Sequence, residues 1–260
     1  MPQPRSIQLN AQPVGNGSFP LIITPLVGRA PADLIAELEA ILPKKPDLLE
    51  WRIDFFEGIA DTDLVIETAR RIKRAAGPVP ILLTRRNTTE GGQAISMDEA
   101  AVVAMYSRAC EAHCVDLIDY ELSNAREHLQ QLRTVSAANG VAMVMSYHNF
   151  QLTPDTDALI GRFMEAERLG ADIGKVAVMP NDPQDVLTLL GATYRATQAT
   201  KIPLISMSMG GIGSLSRIMG WLYGSAATFA VGKSSSAPGQ IAIEDLRATL
   251  ATVRRAVTGA

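Results

Sequence analysis

Apolar and polar positions along this chain fall into two alternating patterns. Short apolar runs rich in Val, Ile and Leu recur at Leu21–Leu26, Leu48–Phe55, Val79–Thr84, Val115–Glu121, Val141–His148, Ile173–Met179, Pro203–Met209 and Ala227–Val231. Runs this short and this apolar predict strands covered on both faces, as in a parallel sheet. Between them, apolar residues return every three to four positions, which predicts helices with one buried stripe. Several helix ends carry their own signals. Ser96-Met97-Asp98-Glu99 reads as a capping box before a helix over Ala100–Ala112. Thr153-Pro154 and Asp182-Pro183 each place a capping side chain before a proline at the first helical position. Gly140 and Gly170 fit helix C-termini, and a last helix is expected from about Ile243 to Val257.

Eight successive β-α units predict an α/β fold, a (β/α)8 TIM barrel, as a single domain over residues 1–260. The competitor is a doubly wound open sheet, but its Gly-x-Gly-x-x-Gly turn after the first strand is missing. Residues 1–18 read as loop, with a short N-terminal hairpin suggested by Ile7-Gln8-Leu9 and a turn at Gly15-Asn16-Gly17.

Composition narrows the classes of function. The 260 residues are 47% hydrophobic with a formal net charge of -3, and Lys and Arg are scattered, so neither a nucleic-acid surface nor a polybasic membrane patch is expected. No apolar run reaches membrane-spanning length, and the polar start Met1-Pro2-Gln3-Pro4-Arg5 does not read as a signal peptide. The two cysteines, Cys110 and Cys114, are expected to stack on one helix face as packing residues, and a cytoplasmic setting follows. No His, Cys or Asp cluster has metal-ligand spacing, so no metal and no other cofactor is expected.

In such a barrel, chemistry gathers at the C-terminal strand ends. Asp172-Ile173-Gly174-Lys175-Val176-Ala177-Val178-Met179-Pro180 places a lysine inside an apolar strand, where alternation puts Lys175, Ala177 and Met179 on one face. Burial among small apolar neighbours would disfavour its charged form and make it a nucleophile toward a carbonyl carbon. A snorkelling lysine or half of a buried ion pair is the bland alternative. The preceding strand ends Ser146-Tyr147-His148, and His148 is a general acid/base candidate that Glu90 or Glu50 could orient. Glu50 and Arg52 share a face, which reads either as an internal ion pair or as a pair aimed into the barrel mouth. Arg85, Arg86 and Glu90-Gly91-Gly92 form a plausible ligand loop. Met209-Gly210-Gly211-Ile212-Gly213 could cradle a phosphate or pack closely, and Arg217 suits a carboxylate. The segment Lys233 to Gln240, small, polar and punctuated by Gly and Pro, reads as a mobile loop, with an ordinary surface loop as the alternative.

These blocks together resemble type I 3-dehydroquinate dehydratase, the Schiff-base dehydroquinase of the shikimate pathway. The matching stretches are Glu50-Trp51-Arg52, Arg86 through Glu90-Gly91-Gly92, Ser146-Tyr147-His148-Asn149-Phe150, Lys175-Val176-Ala177-Val178-Met179-Pro180, Ser206-Met207-Ser208-Met209-Gly210 with Arg217, and Ser236-Ala237-Pro238-Gly239-Gln240. They follow the family order and span about residues 20 to 250. The resemblance implies that Lys175 forms a Schiff base with 3-dehydroquinate, that His148 is the general acid/base and that Glu90 is its carboxylate partner. It implies substrate-binding roles for Glu50, Arg52, Arg86 and Arg217, and loop closure by Ser236 and Gln240. It also implies syn elimination of water to give 3-dehydroshikimate, a cytoplasmic homodimer, and no metal. Gly174 stands where many members have proline, which predicts a locally looser strand.

Two rivals remain from the residues alone. A class I aldolase would share Lys175 but use a backbone phosphate nest in place of an arginine clamp. A non-catalytic binding barrel is argued against by Lys175, His148 and Glu90 occurring together.

Overall fold

A computed structural model describes residues 6–9, 12–15, 19–234 and 236–259. Strands β1 (Ile7–Leu9) and β2 (Gln12–Val14) form an antiparallel hairpin. Leu9 pairs with Gln12, ahead of the expected turn at Gly15-Asn16-Gly17, whose residues 16–17 lie outside the described ones.

The other strands are β3 (Leu21–Leu26), β4 (Leu48–Arg52), β5 (Ile81–Thr84), β6 (Leu117–Glu121), β7 (Ala142–Asn149), β8 (Ile173–Val178), β9 (Leu204–Ser208), β10 (Ala227–Val231) and the short β11 (Ile241–Ala242). All pair in parallel, with β3 to β9 in chain order and β10 beside β3. The sheet closes where Ala226 N–H donates to Leu204 O at 2.7 Å, next to a parallel bridge between Leu204 and Ser225. The result is the expected (β/α)8 barrel with a hairpin at its N-terminus.

Helices α1 (Pro31–Ile41), α2 (Thr62–Ala76), α3 (Glu99–Glu111), α4 (Arg126–Ala138), α5 (Thr156–Arg168), α6 (Pro183–Ala199), α7 (Ser214–Met219) and α8 (Ile243–Thr258) follow the strands. Aspartates cap many of them: Asp61, Asp98, Asp155 and Asp182 each accept a backbone N–H of the first turn. Three local expectations are corrected. The cap of α3 is Asp98, not Ser96, because the Asp98 carboxylate accepts from Ala101 N–H. The cap of α5 is Asp155, and Thr153 instead donates its hydroxyl to Met179 O at 3.0 Å. Helix α3 ends at Glu111 and His113 takes φ +49°, so buried Cys114 lies beyond the helix and does not stack below Cys110.

Alternation sorts the strand residues as expected. Outward residues such as Trp51, Leu83, Tyr120 and Met145 pack under the first helices, while Val176 and Val178 meet Leu159, Phe163 and Leu189 of α5 and α6. Inward residues Ile23, Leu48, Leu82, Leu117, Val144, Ile173 and Ile205 fill the barrel, and Leu9 and Val14 of the hairpin join that cluster. The hairpin therefore plugs the N-terminal end with apolar side chains, and the opposite end is left for polar chemistry. The ladder runs unbroken through Gly174, which pairs with Met145 and Leu204. The strand is not loosened there: a Cβ at Gly174 would sit 3.3 Å from the Phe163 ring. Among the described residues no helix is long and apolar enough to cross a membrane.

Candidate active site

One residue further along each inward row, the apolar filling gives way to charge. Glu50 and Arg52 on β4, Thr84 on β5, Asp119 and Glu121 on β6, Ser146 and His148 on β7, and Lys175 on β8 take the positions after Leu48, Leu82, Leu117, Val144 and Ile173. They line, in part, a cavity at the C-terminal strand ends, together with Glu90, Met207, Met209, Arg217, Phe229, Ser236 and Gln240.

Lys175 is 4% exposed. Its surroundings correct the expectation of an apolar wall. Nζ donates to Asp119 Oδ2 at 2.8 Å and lies 3.6 Å from Glu50 Oε1, with the Phe229 ring centroid 4.8 Å away. The ion-pair alternative and the aimed lysine are thus the same residue. Asp119 is fully buried and its other oxygen accepts from Ser146 Oγ at 2.6 Å and faces Arg86 Nη2 at 2.8 Å. Burial alone would raise the Asp119 carboxyl, but Arg86 and Lys175 outweigh it and hold the group well below the usual carboxylate range.

His148 stands on the strand beside Lys175, two residues beyond Ser146, the register partner of Lys175. Its ring Nδ1 is 2.9 Å from Glu90 Oε2, and its backbone N–H donates to the same oxygen at 2.9 Å. Ser123 Oγ donates to the second Glu90 oxygen at 2.7 Å. A carboxylate with this set of donors assigns the ring proton to Nδ1 and turns the Nε2 lone pair to the cavity. Desolvation, then Arg86 and Lys175, push the His148 pKa well below its ordinary value, so the imidazole rests neutral. Burial pushes the Glu90 carboxyl up to about 7 against the pull of Ser123 and Arg86.

Glu90 reaches this position from a short 3-10 turn, Thr88–Glu90, capped by the Asn87 side chain. The turn folds back so tightly that a Cβ on Gly92 would lie 1.8 Å from Arg86 O, which explains the glycine. Glu90, and not Glu50, orients the histidine. Arg86 points inward and donates to Glu121 Oε1 at 2.9 Å and Ser146 Oγ at 2.8 Å. Its neighbour Arg85 points outward to Glu99, so Arg86 is the arginine of the site.

Arg52 does not pair with Glu50. It grips Asp54 through two parallel bonds of 2.9 Å and donates to Ser236 O at 3.3 Å. Glu50 instead accepts from Thr84 Oγ1 at 3.0 Å, beside Lys175. Arg217 projects from α7 and is buried, donating to Pro238 O at 3.0 Å and Phe229 O at 3.5 Å. Among the described residues it makes no ion pair, and burial lowers it to about 10. A guanidinium so placed suits an incoming carboxylate. Gln240 accepts from Ser236 N–H at 3.2 Å and donates to Ser236 Oγ at 3.3 Å, and this loop closes one side of the cavity. The glycine-rich turn after β9 packs against that loop, with Gly210 N–H donating to Pro238 O at 3.2 Å. The close-packing reading of the turn therefore holds.

The sequence reading brought together Lys175, His148, Glu90, Glu50, Arg52, Arg86, Arg217, Ser236 and Gln240, and all of them line this cavity. It missed Asp54, Asp119, Glu121 and Ser123. Alternation in Leu117-Ile118-Asp119-Tyr120-Glu121 already put two carboxylates on the inward face, a signal equal to that on β4.

Comparison with known proteins agrees with the geometry. Residues 22–256 match the family described as Type I 3-dehydroquinase. The 3-dehydroquinate dehydratase of Albidiferax ferrireducens is 51% identical over 257 residues, covering 99% of this chain and 97% of its relative. The crystal structure of 3-dehydroquinate dehydratase from Geobacillus kaustophilus superposes with a TM-score of 0.95 at 44% identity, covering 97% of each chain. A type I 3-dehydroquinate dehydratase from Clostridium difficile, solved with covalent modified comenic acid, has a TM-score of 0.93 at 33% identity, covering 97% of this chain and 99% of its own. With a barrel that places lysine, histidine and glutamate at one mouth, the chain belongs to the type I 3-dehydroquinase family.

Proposed function

We propose that this protein is a carbon–oxygen lyase that removes water from 3-dehydroquinate to give 3-dehydroshikimate, through a Schiff base on Lys175 with His148 as general acid/base. The observation that carries the reading is the placement of Lys175 and His148 on adjacent strands, facing one cavity whose other wall holds Arg217.

In this reading Arg217 takes the substrate carboxylate, while Glu50, Arg52, Arg86, Ser236 and Gln240 hold the ring and its hydroxyls, so that the reacting bonds are aligned. The Lys175 nitrogen bonds to the ketone carbon, and the ketone oxygen leaves as water. The imine that remains is protonated and draws electrons from the adjacent carbon. Neutral His148 Nε2 takes the proton from that carbon, and the C–H electron pair moves toward nitrogen as an enamine. The pair then returns to expel the hydroxyl one carbon further on. That hydroxyl takes the proton back from the imidazolium and departs as a second water. Glu90 keeps the Nδ1 proton in place and stabilises the imidazolium between the two transfers. Addition of water across the imine frees the conjugated enone and restores Lys175.

The test is borohydride reduction in the presence of 3-dehydroquinate. An irreversible adduct on Lys175, absent from Lys175→Ala together with turnover, is expected. An adduct mapped to Lys201 or Lys233 overturns the assignment.

We also propose a single-domain cytoplasmic enzyme that forms a homodimer. Exposed Leu187 and Tyr194 lie seven residues apart on α6, and exposed Tyr223 follows α7 next to Gly224, which abuts Thr197 of α6. A second copy would cover these side chains, and light scattering that returns a monomer mass would remove this part of the proposal.

A further inference from the structure

The mechanism above leaves several buried carboxylates without a task, and one of them, Asp119, is the nearest to the nucleophile. Asp119 Oδ2 lies 2.8 Å from Lys175 Nζ, and Glu50 Oε1 lies 3.6 Å from the same atom. Both side chains are at most 3% exposed, so solvent screens neither interaction strongly. We infer that Asp119, assisted by Glu50, is the counter-anion that keeps the nitrogen of Lys175 positively charged through the Schiff-base stage. The inference rests on the proposed Schiff base at Lys175.

Charge and atom balance define what such an anion does. The resting ammonium carries three hydrogens. When its nitrogen replaces the ketone oxygen, two hydrogens leave with that oxygen as water and one stays on the imine, so the nitrogen is positive before and after. Only the protonated imine accepts the electron pair of the adjacent C–H bond; a neutral imine is a far weaker sink. An anion that remains ionised within hydrogen-bond distance therefore favours the two cationic stages, at the cost of the brief neutral amine that attacks the ketone.

Asp119 is built to remain ionised. Its Oδ1 is held by Ser146 Oγ at 2.6 Å and faces Arg86 Nη2 at 2.8 Å, which leaves Oδ2 for the lysine. Arg86 is itself anchored by Glu121 from the end of β6. The neighbouring charged groups are thus Arg86 from just beyond β5, Glu50 and Arg52 from β4 and Glu121 from β6, beside the neutral His148 of β7, while β9 and β10 present Met207 and the Phe229 ring. An aspartate between two cations is a poor base. The proton that moves in the elimination is left to His148, and the two residues divide the work: one holds charge on nitrogen and the other moves protons.

The test uses the full chain, 3-dehydroquinate and cyanoborohydride, which reduces a protonated imine in preference to a neutral one. Trapping on Lys175 is followed by intact mass and peptide mapping from pH 5 to 10. In Asp119→Asn both limbs of the trapping profile should move to lower pH by roughly 1–3 units, because the amine frees earlier and the imine loses its proton earlier. Glu50→Gln should move them in the same direction by less, given its longer distance, and Asp119→Glu should restore the limbs toward wild type. Limbs that stay in place in both Asp119→Asn and Glu50→Gln overturn the inference. So does an even loss of trapping at every pH with a lowered melting temperature, the mark of a merely structural aspartate. If Asp119→Asn does not fold, the unmoved or moved limbs of Glu50→Gln decide. A wild-type protein with no adduct on Lys175 at any pH removes the Schiff-base reading and this inference with it, whereas wild-type trapping with unmoved variant limbs removes the inference alone.

Discussion

His148 meets Glu90 twice: its backbone N–H and its ring Nδ1 both lie 2.9 Å from the single oxygen Oε2. The same carboxylate therefore sets the backbone position and the tautomer of the ring. With the second oxygen satisfied by Ser123, Glu90 has little freedom to turn away. A ring held this way presents one nitrogen to the cavity, which is the requirement of a residue that takes a proton from one atom and returns it to another.

His148→Ala should fold and keep Lys175, yet lose turnover by roughly two to four orders of magnitude. Imine hydrolysis also needs proton transfer, so covalent adduct should accumulate on the variant without borohydride, as read by intact-protein mass. A folded variant with near-normal turnover would remove His148 from the chemistry.

Glu90→Gln separates stability from activity. The buried carboxyl is lifted from an ordinary value near 4.5 to about 7. The folded state then holds the proton more tightly than the unfolded chain, so this group stabilises the fold at low pH and its contribution is lost as pH rises from 4.5 through 7. Glutamine has no such loss. The variant should match wild type near pH 4.5 and exceed it above pH 7 by up to about 3 kcal/mol in denaturant melts. Its turnover should nonetheless fall, because an amide N–H facing Nδ1 favours the wrong tautomer. A variant less stable than wild type at pH 8 would contradict the buried-anion account.

Arg217→Met removes the guanidinium expected to take the substrate carboxylate. Loss of hydrogen bonds to a charged group predicts a drop in kcat/KM of roughly 10- to 100-fold, expressed mainly in KM. Since Arg217 has no ion pair among the described residues, the melting temperature without substrate should hold or rise. Arg217→Lys should recover only part of the binding, because a point charge does not reproduce the planar fork.

Gly239→Ala tests the loop after β10. Gly239 has φ +74°, and a Cβ there would lie 2.1 Å from Gly210 O. The substitution should lift the Ser236–Gln240 segment off the glycine-rich turn and raise KM. Gly211→Ala, where a Cβ meets nothing within 4 Å, should leave turnover unchanged. Equal KM values in the two variants would show that the seat of this loop does not matter for binding.

The residues alone determined the order of strands and helices, the inward face of each strand, and the polar positions at the strand ends. These follow from local periodicity: a period of two assigns faces without reference to any other part of the chain. Lys175 and His148 were legible for that reason; Arg86, Glu90 and Arg217 lie beyond the strands, and it was their place after strand ends and the motifs of the family resemblance that made them legible. The tertiary structure decided the partners. Asp119 is 56 residues from Lys175 in sequence, and only the parallel register of β6, β7 and β8 brings the two within 2.8 Å. Arg52 and Glu50 share a face as predicted, yet the tight turn after β4 swings Asp54 back to take the arginine, which frees Glu50 for Lys175. Helix caps shifted by two residues for a similar cause, since several side chains near a helix start compete and loop geometry selects one. Alternation names the face on which a charge stands; distances across a closed barrel choose what it pairs with, and ion pairing depends steeply on those distances.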